Sequence, residues 1–314
     1  MASLAVVLII LGCGALMYFK GTVVKAFAMI VIAILSGVVA FSYFEALSNA
    51  IINRGNNGSL LSLVPWAQTL CFTMLFIVTF GLLQTAATFL IRHPVDLGFL
   101  PERIGRVVCG IILGFIISGL LLTALQMGPL PLSYPYQRFD PARLNPDNPG
   151  GVLLNADGFA TGLFGIISKG SFSGKNNFKT IHPNYLDQLY MNRIMGKTSN
   201  VSGLSPAIEI PKPGVWPDSE NVIDAYTKTN SRPIIPIPNT SYSAKIVRIG
   251  IKKRAIKREP SINGGVFTPS QLRLICKRTT GEAVNVYPVG YMKSRWVSTS
   301  MNTRVIFRPF KPPL

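Results

Sequence analysis

The sequence predicts an all-α polytopic membrane bundle of about four transmembrane helices, followed by an extramembrane region with short helices and a small antiparallel β-domain. Three observations predict this. The mean hydropathy is +0.37, only 14% of the residues are charged, and the charge is unevenly distributed. Residues 1–128 carry a net charge of +3, and residues 129–314 carry +15. An apolar module therefore precedes a polar, basic one.

Four apolar runs lie within the first 128 residues. They cover residues 2–19, 23–44, 64–91 and 104–127. A bilayer core of roughly 30 Å needs about 20 helical residues, so the first run is either a short tilted span or a re-entrant segment. We do not expect it to be a cleaved signal peptide, because no basic residue precedes it and Lys20 follows it.

The basic residues of the short loops predict the orientation of the spans. The loops after spans one and three share one side and contain Lys20, Lys25, Arg92, Arg103 and Arg106. The loop after span two contains only Arg54. Because cytoplasmic loops are enriched in Lys and Arg, we expect both termini and the large basic region to be extracytoplasmic.

A strip of glycines runs along one side of span four. Gly110 and Gly114 form a GxxxG pair, and Gly105 and Gly119 flank it on a similar strip. Small residues let the backbones of two helices approach closely in lipid. The strip is therefore either a dimerisation face, which would make the chain a homo-oligomer through span four, or the internal packing face of that span, which we favour.

Two short stretches at the starts of spans two and four carry a family pattern. Gly21 lies in the turn before span two, Glu102 and Arg103 open span four, and the glycine pair Gly110 and Gly114 follows. In order and spacing these residues resemble the CvpA (colicin V production protein) family over about residues 1–128.

The pattern departs from that family in three places. Lys20 stands where the family usually has Arg, and Glu102 stands where Asp is commoner. Arg106 occupies the usual position of the first glycine in span four, with Gly105 beside it. The resemblance covers about two fifths of the chain and does not extend to the C-terminal region.

The resemblance implies a bacterial inner (cytoplasmic) membrane protein that acts in envelope homeostasis or in the production and export of a colicin V-like toxin. It carries over no catalytic residue and no cofactor, and we predict a non-enzymatic protein. The alternative is a pore-forming or accessory component of a membrane transport system, because polar side chains lie along span three. These are Gln68, Thr73, Thr79, Gln84, Thr85 and Thr88.

The C-terminal region divides by composition. Six prolines predict a linker over residues 129–154, a juxtamembrane helical segment follows over 155–200, and seven more prolines predict a second linker over 201–242. In the helical segment, residues 157–168 have apolar residues three to four apart. This predicts an amphipathic helix that lies on the membrane surface or packs on the following domain.

A second helix is predicted after Pro183. His182 and Asp187 there could be read as a catalytic pair, but no nucleophile accompanies them, so we expect a histidine at a helix start and a surface carboxylate. With only His93 and His182 in the chain, and no Cys/His spacing of a zinc site, we expect no metal centre.

Residues 243–314 are predicted to form the small β-domain. The segments 243–251, 272–276, 283–289 and 304–307 have strand composition and are separated by Gly- and Asn-containing turns. We expect a sandwich-like domain or a fragment of a barrel.

A run of basic residues lies within the β-domain. It comprises Lys252, Lys253, Arg254, Lys257 and Arg258. The run is either a solvated hairpin loop or a contact site for anionic lipid or a cell-wall polyanion. Nucleic acid is a poor candidate partner, because the run contains no aromatic residue for base stacking and the predicted orientation places it outside the cytoplasm.

Overall fold

The structure is a computed structural model that describes residues 2–55, 63–90, 98–140, 149–170, 177–195, 208–212, 214–217, 245–252, 265–277, 282–288, 290–292, 296–298 and 305–307. The chain divides into two compact units. The first comprises residues 1–140, 145–193 and 275–284, and the second comprises 141–144, 194–274 and 285–314.

Four long helices form the body of the first unit. They are α1 (Ala2–Lys20), α2 (Val23–Gly55), α3 (Ala67–Leu90) and α4 (Phe99–Met127). All four are long and apolar enough to cross a membrane, and a short 3₁₀ turn precedes α3. The prediction of about four apolar helices is therefore confirmed, and the first run is a continuous helix of 19 residues.

The boundaries of two helices differ from the apolar runs. Helix α2 continues past the predicted end at residue 44 to Gly55. The stretch after Phe44 contains the strong helix formers Glu45, Ala46, Leu47 and Ala50. Helix α4 starts at Phe99, five residues before the apolar run, with Pro101 and Glu102 in its first turn, where both residue types are tolerated.

Helix α4 is the central element of the bundle. It packs against α1 on one side and against α2 on the other, and α3 packs mainly on α2. Aromatic side chains form much of the shared core. The ring of Phe41 lies 4.9 Å from that of Phe72, and Phe44 packs on the same ring at 5.9 Å. Most of the outward faces of α1 and α3 are apolar and exposed, as expected of helices that contact lipid.

Three shorter helices belong to the same compact unit, apart from the last two residues of the third. They are α5 (Ala156–Lys169), α6 (Phe178–Ile181) and α7 (Tyr185–Met195). The predicted helices after residues 156 and 183 are thus present. Helix α5 packs on α4 and α2, so the bundle itself is its protein partner. Below, the cap denotes residues 128–140, 149–170 and 177–195, which pack at one end of the bundle.

The described residues from 208 onward form ten short strands. They are β1 (Ile208–Glu209), β2 (Val215–Pro217), β3 (Lys245–Val247), β4 (Gly250–Ile251), β5 (Gly265–Phe267), β6 (Leu274–Lys277), β7 (Ala283–Val286), β8 (Gly290–Met292), β9 (Trp296–Ser298) and β10 (Val305–Phe307). Among the described residues they pair as β1–β4, β2–β3, β5–β10, β6–β7 and β8–β9.

The strand pairs modify the predicted β-domain. The pairs β1–β4, β2–β3, β5–β10 and β8–β9 are antiparallel, as expected. In the described residues these are separate two-stranded ladders and do not form one continuous sheet. Strands β1 and β2 lie within residues 201–242, where the sequence predicted only a linker. Ile208, Val215 and Trp216 are strand-forming residues whose partners are distant in the chain.

Candidate functional site

The residues of the family pattern lie where α2 and α4 begin. Glu102 Oε1 accepts a hydrogen bond from the Val23 backbone N–H at 3.1 Å, and so satisfies a free donor at the start of α2. The same oxygen pairs with Arg106 Nη2 at 2.7 Å. The guanidinium of Arg103 lies 4.0 Å above the ring of Phe99. These residues therefore connect the starts of two helices.

The glycines of α4 each face another part of the same chain. A methyl group at Gly110 would lie 2.8 Å from Gly14 Cα, and one at Gly114 would lie 2.7 Å from Ile10 Cα, both on α1. At Gly105 it would lie 2.8 Å from Val23 Cγ2. At Gly119 it would overlap the carbonyl oxygen of Ala156, which begins α5.

The remaining predicted positions are Gly21 and the basic run, of which the structure describes only Lys252. At Gly21 a methyl group would lie 2.8 Å from the Met17 carbonyl oxygen, so the turn between α1 and α2 is too tight for a side chain. Lys252 is half-buried and follows β4 directly. The other residues of the basic run, at positions 253, 254, 257 and 258, lie outside the described residues.

A buried polar network joins α4 to the cap. Asp157, in the first turn of α5, is 0% exposed, and its Oδ2 accepts a hydrogen bond from Gln126 Nε2 at 2.8 Å. The hydroxyl of Tyr136 donates a second, short hydrogen bond to the same oxygen. The Gly158 backbone N–H donates to Oδ1 at 2.9 Å. This carboxylate is thus held by α4, by the segment that follows α4, and by α5 itself.

The network continues to α7 through an arginine. Arg138 Nη1 lies 3.5 Å from the Tyr136 hydroxyl, and Arg138 Nε lies 2.5 Å from Asp187 Oδ1. The side chains of Arg138 and Asp187 are both largely buried. Below, the Asp157 network denotes Gln126, Tyr136, Arg138, Asp157 and Asp187.

Two pKa values in this network depart from their ordinary values. Burial raises the pKa of the Tyr136 phenol, and the charge of Asp157 and the hydrogen bond to it raise it further. Tyr136 is therefore a neutral donor to the carboxylate. Burial alone would lower the pKa of Arg138, but its ion pair with Asp187 outweighs this effect, so the pKa is raised. Both effects preserve the hydrogen-bonding roles in the network.

A second polar contact joins α2 to the cap. His182 is 4% exposed, and its Nε2 lies 2.8 Å from Glu45 Oε1. Its Nδ1 lies 2.8 Å from Gln188 Oε1 on α7. A cavity of about 180 Å³ adjoins the pair and is lined by both apolar and polar residues, among them Ser42 and Asn177.

These contacts correct the sequence interpretation of two residues. His182 is a buried partner of Glu45, and Asp187 is ion-paired with Arg138, so it is not a free surface carboxylate. The sequence signal for Glu45 was weak but present, because it is the first charged residue after the apolar run of span two. Asp157 carried no comparable signal, since its partner Gln126 is 31 residues away.

A larger cavity of about 280 Å³ lies toward the other end of the bundle. It is lined by α1, the turn at Gly21, α2 and α3, and its polar lining residues are Lys25, Gln84 and Thr88. Gln84 Oε1 is buried and has no hydrogen-bond partner within the described part of the chain. Two of the polar residues predicted to mark span three, Gln84 and Thr88, therefore line a cavity.

No known protein family matches this chain, and neither does any curated protein or solved structure compared with it. The fold and the composition define its class: a mostly helical membrane protein with four candidate spans, short helices and small antiparallel strand pairs. Within the described ranges, no group of three or more His, Cys, Asp or Glu side chains could hold a metal ion.

Proposed function

We propose that this chain is a non-enzymatic integral protein of the bacterial inner membrane, of CvpA type. Its role is in envelope homeostasis or in the production and export of a colicin V-like toxin. The observation that best supports this proposal is the attachment of the cap. The Asp157 network ties the cap to the end of α4, and the Glu45–His182 pair ties it to α2. The bundle and the cap together form a platform for the residues that follow the cap.

The basic region supplies the proposed partner. Residues 129–314 carry +15, and anionic headgroups attract basic residues by about 1 kcal/mol each near a membrane surface. Anionic lipid or a cell-wall polyanion is therefore the proposed contact of this region. A homo-oligomer through span four would use its lipid-facing side, because the glycine strip is already covered by the same chain.

Deletion of the gene tests the proposed role directly. We expect the deleted strain to be more sensitive to detergent and to large antibiotics, and a strain that makes a colicin V-like peptide to secrete less of it. The wild-type gene should restore both properties, and so should a Gly81→Ala variant, since a methyl group there meets nothing within 4 Å. An unchanged envelope together with unchanged secretion would refute the proposed role.

The proposed orientation places both termini outside the cytoplasm, and Cys276 reports on it. This thiol is free and half-buried, whereas Cys71 is buried and Cys13 and Cys109 lie in the long helices. We expect a membrane-impermeant maleimide to label Cys276 on intact spheroplasts. Lys212→Cys, at an exposed position, controls for slow labelling of a half-buried thiol.

The labelling pattern decides between two orientations. Labelling of the Lys212→Cys site from outside, with or without Cys276, supports the extracytoplasmic placement. If neither site reacts until the membrane is permeabilised, the orientation is inverted. The basic region would then face the inner leaflet and the cytoplasm.

A second candidate function is that of a transport component. The cavity lined by Lys25, Gln84 and Thr88 favours it, because polar side chains there lie between apolar helices. Ion flux through vesicles that contain the purified chain distinguishes the two functions. A flux that the empty vesicles lack would favour transport. The absence of such a flux would favour the first proposed function.

A further inference from the structure

Helix α5 carries large apolar side chains on its outward side as well as on its inward side, where Phe164 is 2% exposed. Its small residues Ala156 and Ala160 are fully buried, whereas Ile166 is 73% exposed and Phe159 is 42% exposed. The predicted apolar stripe thus lies partly on the outward side of the helix. A helix on the surface of a water-soluble domain keeps its large apolar residues inward and has a polar outward side.

The inward side of α5 packs as helices pack in lipid. A methyl group at Gly119 of α4 would overlap Ala156 and lie 2.7 Å from Ala160 Cβ. A methyl group at Gly37 of α2 would overlap the ring of Phe164. Close approach through small residues is typical of membrane helices, because between apolar surfaces in lipid only packing distinguishes one contact from another.

Polar residues on α2 and α4 indicate where the bilayer ends. On α2, Lys25 and Glu45 are twenty residues apart, which corresponds to about 30 Å of helix. On α4, Arg106 and Gln126 are also twenty residues apart. Both intervals equal the thickness of a bilayer core, about 30 Å. The level of Glu45 and Gln126 therefore marks one edge of the hydrocarbon region.

The contacts of α5 lie inside that edge. Gly37 is eight residues before Glu45, about 12 Å along α2, and Gly119 is seven residues before Gln126, about 10 Å along α4. The two depths come from different helices and agree. The ring of Phe159 packs on Phe115 of α4 at 4.8 Å, which is deeper still.

We propose that α5 is seated in the hydrocarbon region of the bilayer, with its outward apolar side against lipid acyl chains. Residues 158–168 contain no charged side chain, and Lys169 follows them at the exposed end of the helix. The chain leaves α4, returns through the left-handed residues Leu154 and Asn155, and enters α5. The inference rests on the proposal that the four long helices cross a bilayer.

Spin labels on single cysteines test this depth in the full chain. The four native cysteines are replaced by alanine, the chain is placed in lipid vesicles, and Ile166→Cys is labelled. Val78→Cys, exposed in the middle of α3, is the lipid-facing control, and Asn184→Cys, exposed before α7, is the water-facing control. We expect labels at positions 166 and 78 to collide more with oxygen than with a water-soluble nickel complex, and position 184 to show the reverse.

Each other outcome overturns the proposal. If position 166 behaves like position 184 while position 78 stays lipid-facing, α5 lies in water although the bundle spans the bilayer. If position 78 also faces water, the bundle is not in the bilayer and both proposals fall. If neither reagent reaches position 166, a second protein surface covers α5 and lipid does not.

A matched pair of charge substitutions avoids the cysteine-free background. Ile166→Asp is expected to lower the Tm of the chain in lipid vesicles, because it places a charge among acyl chains. Asn184→Asp, at an exposed position, is expected to leave the Tm unchanged. Equal Tm values for the two variants would place the outward face of α5 in water.

Discussion

Replacing Asp157 by alanine is expected to lower the free energy of unfolding by about 3 kcal/mol. The carboxylate is fully buried and accepts hydrogen bonds from Gln126, Tyr136 and the Gly158 backbone N–H. Without it, the buried donors of Gln126 and Tyr136 lose their shared acceptor, and each such loss costs about 1–3 kcal/mol. We expect Tm to fall by roughly 6–12 °C, since about 2–4 °C accompany each kcal/mol in a unit of this size.

With Cys13, Cys109 and Cys276 replaced by alanine, the reaction of a thiol-specific fluorophore with Cys71 measures this unfolding, because Cys71 is 4% exposed in the folded bundle. Asp157→Asn retains an acceptor oxygen and is expected to lose less than half as much stability as Asp157→Ala. Glu209→Ala, at an exposed position in the second unit, controls for the loss of a carboxylate as such. A Tm for Asp157→Ala equal to that of Glu209→Ala would show that the network contributes nothing to the attachment of the cap.

Replacing Gly119 by alanine is expected to destabilise the same junction from the side of α4. The added methyl group would overlap the carbonyl oxygen of Ala156 and crowd Ala160, and neither the backbone nor a methyl group can rotate away. Overpacking of this kind costs about 1–3 kcal/mol. Thermal unfolding of the purified variant, followed by the same Cys71 reaction, measures the loss.

Gly81→Ala is the matched control for this substitution. It lies in α3 and is a helical glycine as well, but a methyl group there meets nothing within 4 Å. Because alanine favours a helix over glycine, we expect Gly81→Ala to be neutral or mildly stabilising. If both variants lose the same stability, the cost arises from the substitution of a helical glycine in general and not from the contact with α5.

The contacts of the glycines show what a motif leaves open. The spacing of Gly110 and Gly114 indicated a close helix contact, and it left a dimer and an internal contact as alternatives. In the structure these residues face Gly14 and Ile10 of α1. The choice depends on which helix lies opposite, and that is a property of the assembled bundle.

The Glu45–His182 pair illustrates a second limit. Glu45 lies within α2 and His182 directly follows α6, and they are far apart in the chain. Their proximity requires that the cap return to α2 at the level of Glu45. Sequence reasoning compared His182 with Asp187 because the two are neighbours in the chain, whereas the fold pairs each of them with a different residue.

The sequence by itself determined the number and the apolar character of the four long helices, because about 20 consecutive apolar residues can satisfy their backbone in a bilayer as a helix. It also determined the division into an apolar and a basic part. Only the tertiary structure decided which side of α5 faces the protein. In lipid both sides of a helix can be apolar, so periodicity does not identify the inward side, and the close fit of Ala156 and Ala160 against Gly119 does.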